Sequence, residues 1–139
     1  MFKVDLHTHS SASPDGGITA EQYAKVLSTG LLDVIAITDH NQIDFAVELR
    51  TNLGDRIIVG EEIMTTSGEI IGLNLKKRVT PRLSPLETVK QIKDQGGLVY
   101  IPHPFETVRK GLPEHVLEEL LDYIDLIEAV NGRAFFQNR

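Results

Sequence analysis

Short apolar runs alternate along this chain with stretches in which apolar positions recur at helical spacing, the rhythm of an α/β protein. Phe2 to Leu6 reads as the first strand. Thr19-Ala20-Glu21-Gln22 has the form of a capping box and predicts a helix to about Thr29, where Gly30 can terminate it. Asp33 to Thr38 is too continuously apolar for a half-exposed strand and is expected to be buried on both faces. A helix is predicted over Ile43 to Leu53 and another buried strand over Arg56 to Val59. Ile63 to Thr66 and Glu69 to Leu73 flank Ser67-Gly68 and read as an antiparallel hairpin added to the main sheet. Ser84-Pro85-Leu86-Glu87 combines a capping serine, a first-turn proline and a reciprocal glutamate, so it starts a helix that Gly96-Gly97 stops. Leu98 to Ile101 is a buried strand, Pro113 to Leu121 a short helix and Ile124 to Ala129 a last strand.

Length and composition fit one domain over residues 1–139, with 41% hydrophobic residues to fill a single core. The chain has no cysteine, which excludes disulfides and thiolate metal sites and leaves imidazole and carboxylate as the available ligands. The N-terminus lacks a basic region followed by a long apolar stretch, and no run reaches the length of a membrane-spanning helix. A cytoplasmic protein without membrane partners is therefore expected. A net charge of −6 argues against non-specific nucleic-acid binding, which depends on basic surface to neutralise phosphates.

The polar residues fall at the ends of the apolar runs. Asp5 lies within the first and His7 and His9 follow it, all at two-residue spacing, which in a strand places them on one face, with Asp5 able to fix a ring tautomer from behind. The second run ends at Asp39-His40, the third at Glu61-Glu62, the fourth at His103 between two prolines, and the fifth at Glu128 with Asn131 beyond. The carboxyl ends of parallel strands converge on one face of a barrel or open sheet, so these residues are expected to meet. Four of the five histidines sit at such ends, and that clustering points to a metal site; His115, on a polar helix, reads as a surface residue.

Taken together, Asp5-Leu6-His7-Thr8-His9-Ser10, Thr38-Asp39-His40, Gly60-Glu61-Glu62-Ile63 and Pro102-His103-Pro104 resemble, in order and spacing, the successive motifs of the polymerase and histidinol phosphatase (PHP) family. The resemblance extends over essentially the whole chain. It implies a distorted, TIM-like barrel of about seven β/α units whose strand ends hold two to three divalent ions. Carried over to this sequence, it makes His7 and His9 ligands of one metal, His40 and His103 ligands of neighbouring metals, and Glu62 the bridging carboxylate. Parity puts Glu61 on the other face. Asp15 lies where the family carries an aspartate or histidine ligand, although Pro14-Asp15-Gly16 is also ordinary turn chemistry. Asp39 is expected to orient His40 or a metal-bound water, and with Glu62 and His103 to serve the catalytic chemistry. Asn131 and Arg133 are candidates for substrate binding, Arg133 because a guanidinium matches phosphate oxygens bidentately; a solvated chain end is the other reading.

The late Asp-x-His motif of that family does not occur before the sequence stops at Arg139. The resemblance thus leads to the expectation of a truncated barrel lacking its last strands, with an unpaired sheet edge that invites self-association. The implied function is metal-dependent hydrolysis of phosphate monoesters or diesters of small molecules or nucleotides by a metal-activated water, with zinc, manganese or iron as the metal. A serine nucleophile is a poor rival, because neither a Gly-x-Ser-x-Gly elbow nor a phosphate-cradling glycine-rich loop is present. Two other readings stay open: a non-catalytic metal-binding fragment and a nucleic-acid-processing module of the 3'-5' exonuclease type.

Overall fold

Apolar runs and capped amphipathic stretches give the order β1 (Val4–Thr8), α1 (Ala20–Ser28), β2 (Val34–Ile37), α2 (Asp44–Leu53), β3 (Ile57–Thr65), β4 (Gly68–Leu73), α3 (Pro85–Asp94), β5 (Leu98–Ile101), α4 (Glu114–Glu119) and β6 (Leu126–Ile127). The computed structural model describes residues 1–104 and 110–129. Thr19 and Gln22 cap α1 reciprocally as the sequence predicts. At α3 only the serine half of the expected box forms, Ser84 Oγ accepting from the Glu87 amide.

The six strands form one sheet in sequence order. β1, β2 and β3 are parallel, β4 runs antiparallel to both β3 and β5, and β6 is parallel to β5. The expected hairpin is therefore present, but it is not an appendage: its first arm continues the third strand without a break, and its second is a central strand. The last strand is two residues long, shorter than the run over Ile124 to Ala129 suggests.

Alternation along the strands gives the sheet two apolar faces. Ile35, Ile37, Ile57, Val59, Ile63 and Ile70 belong to a large core that α1, α2, α3 and α4 cover with Tyr23, Leu27, Leu49, Val89, Ile92 and Leu117. Ala36, Ile71, Leu73 and Tyr100, with Leu6 and Ile58 beside them, form a smaller cluster on the opposite, inner face. A flat sheet of six strands would hold its edges about 24 Å apart at the normal strand spacing. Here Glu128, just past β6, meets His7 of β1 at 2.7 Å, so the sheet curls into a half-barrel around its inner face. No helix among the described residues is long and apolar enough to cross a membrane.

Candidate metal centre

The inner face ends in a cluster of imidazoles and carboxylates. β1 carries an irregularity between Asp5 and Thr8, and there Leu6 packs on the inner apolar cluster while the next residue, His7, also enters the site. A bulge permits two successive residues to share a face. Thr8 turns outward, where its hydroxyl meets Tyr23 and donates to the Ala36 carbonyl. His40 is held level with Glu62 because pairing continues past the end of β2: the Glu62 amide donates to Asp39 and the Asn41 amide donates to Glu62. His103 follows β5 with φ of 28°, a left-handed backbone that a bulky residue seldom adopts and that recurs at functional sites.

Glu62 lies at the centre. Its Oε2 is 3.0 Å from His103 Nε2 and 3.4 Å from His7 Nε2, while its Oε1 is 3.0 Å from His9 Nε2 and 3.6 Å from His40 Nδ1. The donor atoms thus gather into two groups that share Glu62, one with His7 and His103 and one with His9 and His40, each within 4.8 Å. His7 and His9 fall into different groups, a different division from the common clamp expected of the His-x-His motif, although their Nε2 atoms are only 3.3 Å apart. The rings of His9 and His40 stack at 4.5 Å.

Electrostatics follow from this crowding. Burial opposes charge on His7, but the hydrogen bond to Glu128 and the contacts with Glu62 outweigh it and hold the ring's pKa at about 10. Glu69, Glu62 and Asp15 raise His40 to about 9 against partial burial. Burial would raise Glu62, yet hydrogen bonds from His103, His7 and His9 hold it well below the ordinary carboxylate range. Glu61 behaves oppositely: on the helix-covered side, with the Val79 amide as the only donor to it among the described residues, its carboxyl is pushed by burial up to about 7.

Five of the residues marked by the sequence, His7, His9, His40, Glu62 and His103, meet here. Asp15 stands at the rim, half exposed, its Oδ2 3.1 Å from His40 Nε2. Asp39 does not face the cluster: both its oxygens are taken by the Ser10 amide, the Ser10 hydroxyl and the Ser13 hydroxyl, so it holds a loop and contacts no histidine ring. Glu128 rather than Asp5 meets the His7 ring, with its Oε2 2.7 Å from Nδ1, whereas exposed Asp5 accepts from the His7 backbone amide. Asn131 and Arg133 lie outside the described residues. Sequence reasoning missed Glu69, a buried residue of β4 whose Oε2 is 3.2 Å from His40 Nδ1, near enough for charge attraction but without an aligned hydrogen bond, and whose Oε1 is 3.9 Å from His103 Nε2. The signal for it was an acid at the inward position of a buried strand.

The residues fit divalent cations. Nitrogen and oxygen donors without thiolate suit borderline and hard ions. His9 Nδ1 is buried without a hydrogen-bond partner among the described residues, and ring nitrogens 3.3 Å apart repel unless a proton or a cation lies between them.

No family model matches the chain. The uncharacterized protein MJ1587 of Methanocaldococcus jannaschii is 37% identical over 99% of this chain and 88% of its own length. The chain and MJ1587 belong to one family. A second uncharacterized protein of that organism, MJ0417, is 37% identical over 95% of the chain and 54% of its own length. Among solved structures, a two-domain protein from Bacteroides vulgatus containing a predicted PHP-like metal-dependent phosphoesterase superposes with a TM-score of 0.70 at 24% identity, over 94% of this chain and 45% of that one. A protein from Bifidobacterium adolescentis proposed to be a metal-dependent phosphoesterase gives 0.69 at 15% identity, over 92% and 77%. An amidohydrolase from Chromobacterium violaceum with bound sulfate and no metal gives 0.67 at 17%, over 91% and 76%. The fold is PHP-like, and the half-barrel of this chain matches part of those barrels.

Proposed function

We propose that this MJ1587-family protein is a metal-dependent phosphoesterase acting on phosphorylated small molecules or nucleotides. The observation that carries the reading is Glu62, a buried carboxylate whose two oxygens face two separate histidine groups, as a carboxylate shared by two cations must. Ions bound there, with zinc, manganese and iron as candidates, would make hydroxide available near neutral pH and set positive charge against phosphoryl oxygens. His7 and His103 would hold one position and His9 and His40 the other, with Asp15 adding a carboxylate from the rim beside His40. The apolar residues Ala36, Ile71, Leu73 and Tyr100, with partly buried Leu6 and Ile58 beside them, line the inner face next to the cluster.

The test is hydrolysis of a panel of phosphoesters with and without added zinc, manganese or iron, read as inorganic phosphate from phosphomonoesters and as the released monoester or nucleotide from phosphodiesters and short single strands of nucleic acid. Metal-stimulated turnover that chelator abolishes is expected. Turnover that persists in excess chelator would refute the reading, and metal retained with no turnover on any substrate would make the chain a metal-binding domain without hydrolase activity.

A further inference from the structure

The two histidine groups share Glu62 but are supported by different buried carboxylates. Glu128 serves the His7–His103 group: its Oε2 accepts from His7 Nδ1 at 2.7 Å, and its Oε1 accepts from the His103 amide at 3.0 Å. Glu128 is itself tied down by the Tyr100 hydroxyl, which donates from 3.4 Å, and by its own amide, which donates to Ile101. Asp39 serves the His9–His40 group by another route. It accepts from the amide and hydroxyl of Ser10, next to His9, and from the hydroxyl of Ser13, which in turn accepts from the His40 amide at 3.1 Å. Neither carboxylate shares a hydrogen-bond partner with the other, and they follow different strands, β6 and β2.

We propose that Glu128 and Asp39 are positioning residues that separately tune two metal positions, Glu128 the one at His7 and His103 and Asp39 the one at His9 and His40. This rests on the reading of the cluster as a two-metal centre. The chemistry differs on the two sides. A carboxylate that accepts from Nδ1–H keeps the proton on that nitrogen and leaves the Nε2 lone pair of His7 aimed at Glu62 and the ion. An amide in its place can present N–H to Nδ1, which would move the ring proton to Nε2 and block it. Glu128 also pins His103 in its left-handed backbone, so its loss weakens both imidazoles of one group together. Asp39 makes no ring contact. It fixes the loop that aims His9 and the peptide that carries His40, the two rings that stack on each other.

Cobalt(II) titration of the full chain, followed by its visible absorption and by calorimetry, tests this. The parent is expected to bind two ions. His103→Ala and His40→Ala, each removing one imidazole from one group, identify which signal belongs to which position. Glu128→Gln should weaken the His7–His103 position by about 10–100-fold, the usual effect of losing a carboxylate behind a metal-bound histidine, and spare the other. Asp39→Asn should do the reverse. If either substitution prevents folding, as circular dichroism would reveal, Tyr100→Phe and Ser13→Ala probe the same two networks more gently and should show the same preference on a smaller scale. Loss of both positions in equal measure in each variant, or of neither, would overturn the inference while leaving the metal reading intact. A parent chain that binds no cobalt would end the metal reading, and the inference with it.

Discussion

Glu61 and Glu62 are neighbours, both buried, and they have opposite fates because a strand sends alternate residues to opposite faces. Glu62→Gln is expected to remove most bound metal, since an amide offers one oxygen and no charge to two histidine groups, whereas Glu61→Gln should leave metal content unchanged. Elemental analysis of the two purified variants decides, and the reverse ranking would move the bridging role by one residue. Glu61 carries its own consequence for stability. The folded chain keeps a proton on this carboxyl up to about pH 7, while the unfolded chain releases it near 4.5. Its contribution is therefore fully present below the lower value and lost as pH rises through the higher one. Glu61→Gln should flatten that fall in a plot of urea midpoint against pH; a parent midpoint that holds steady from acid to neutral pH would count against it. The parity of this pair was legible from the motif alone. That of Asp5 and His7 was not, because the irregularity in β1 breaks the two-residue rule that placed them on one face. The carboxylate that meets the His7 ring is instead Glu128, 121 residues away in the chain, a contact that no local pattern encodes.

At the scale of elements, caps and apolar runs were readable where local chemistry decides and misleading where tertiary burial does. Gly60-Glu61-Glu62 looks like a strand end, with a glycine and two charges, yet β3 runs on to Thr65 because both acids are accommodated and the glycine is required. A Cβ at Gly60 would lie 2.9 Å from Thr38 Cγ2 and 3.0 Å from the Gly72 carbonyl, so the backbones of β2, β3 and β4 close together only without one. The Ser10–Gly17 loop gives a cleaner comparison. A Cβ at Gly16 would collide with the Ser10 carbonyl and sit 2.8 Å from His9 Cβ, whereas at Gly17 it meets nothing within 4 Å. Gly16→Ala is expected to lower both stability and metal content by displacing His9, and Gly17→Ala to change neither. Thermal unfolding and metal analysis of the pair check this, and equal behaviour would mean that the loop yields without cost. For α3, Ser84→Ala should destabilise by about 1 kcal/mol, the usual worth of a capping hydroxyl, read from the denaturation midpoint.

Over the whole molecule, protons and cations compete for the same cavity, and the competition fixes how stability must vary with pH. In the metal-free chain the curled sheet brings Glu62, Glu69 and Glu128 against four histidines, and the rings of His7 and His40 hold protons to about pH 10 and 9. The unfolded chain gives those protons up near 6.5. A group with a raised folded pKa stabilises fully below its unfolded value and ceases to do so as pH rises through its folded value. The metal-free protein should therefore lose stability steadily from about pH 6.5 to 9. A divalent ion needs the lone pairs that the protons occupy, so its binding releases protons and strengthens over the same interval. Because an ion that binds only the folded state stabilises it by an amount that grows with the logarithm of its affinity, the gap between metal-loaded and metal-free unfolding temperatures should widen as pH rises. Thermal melts in excess chelator and in saturating manganese or zinc, across that pH range, measure both curves at once. Parallel curves would show that protons do not occupy the metal positions, and a chelated protein that gains stability towards alkaline pH would contradict the charged state of His7 and His40 on which this argument depends.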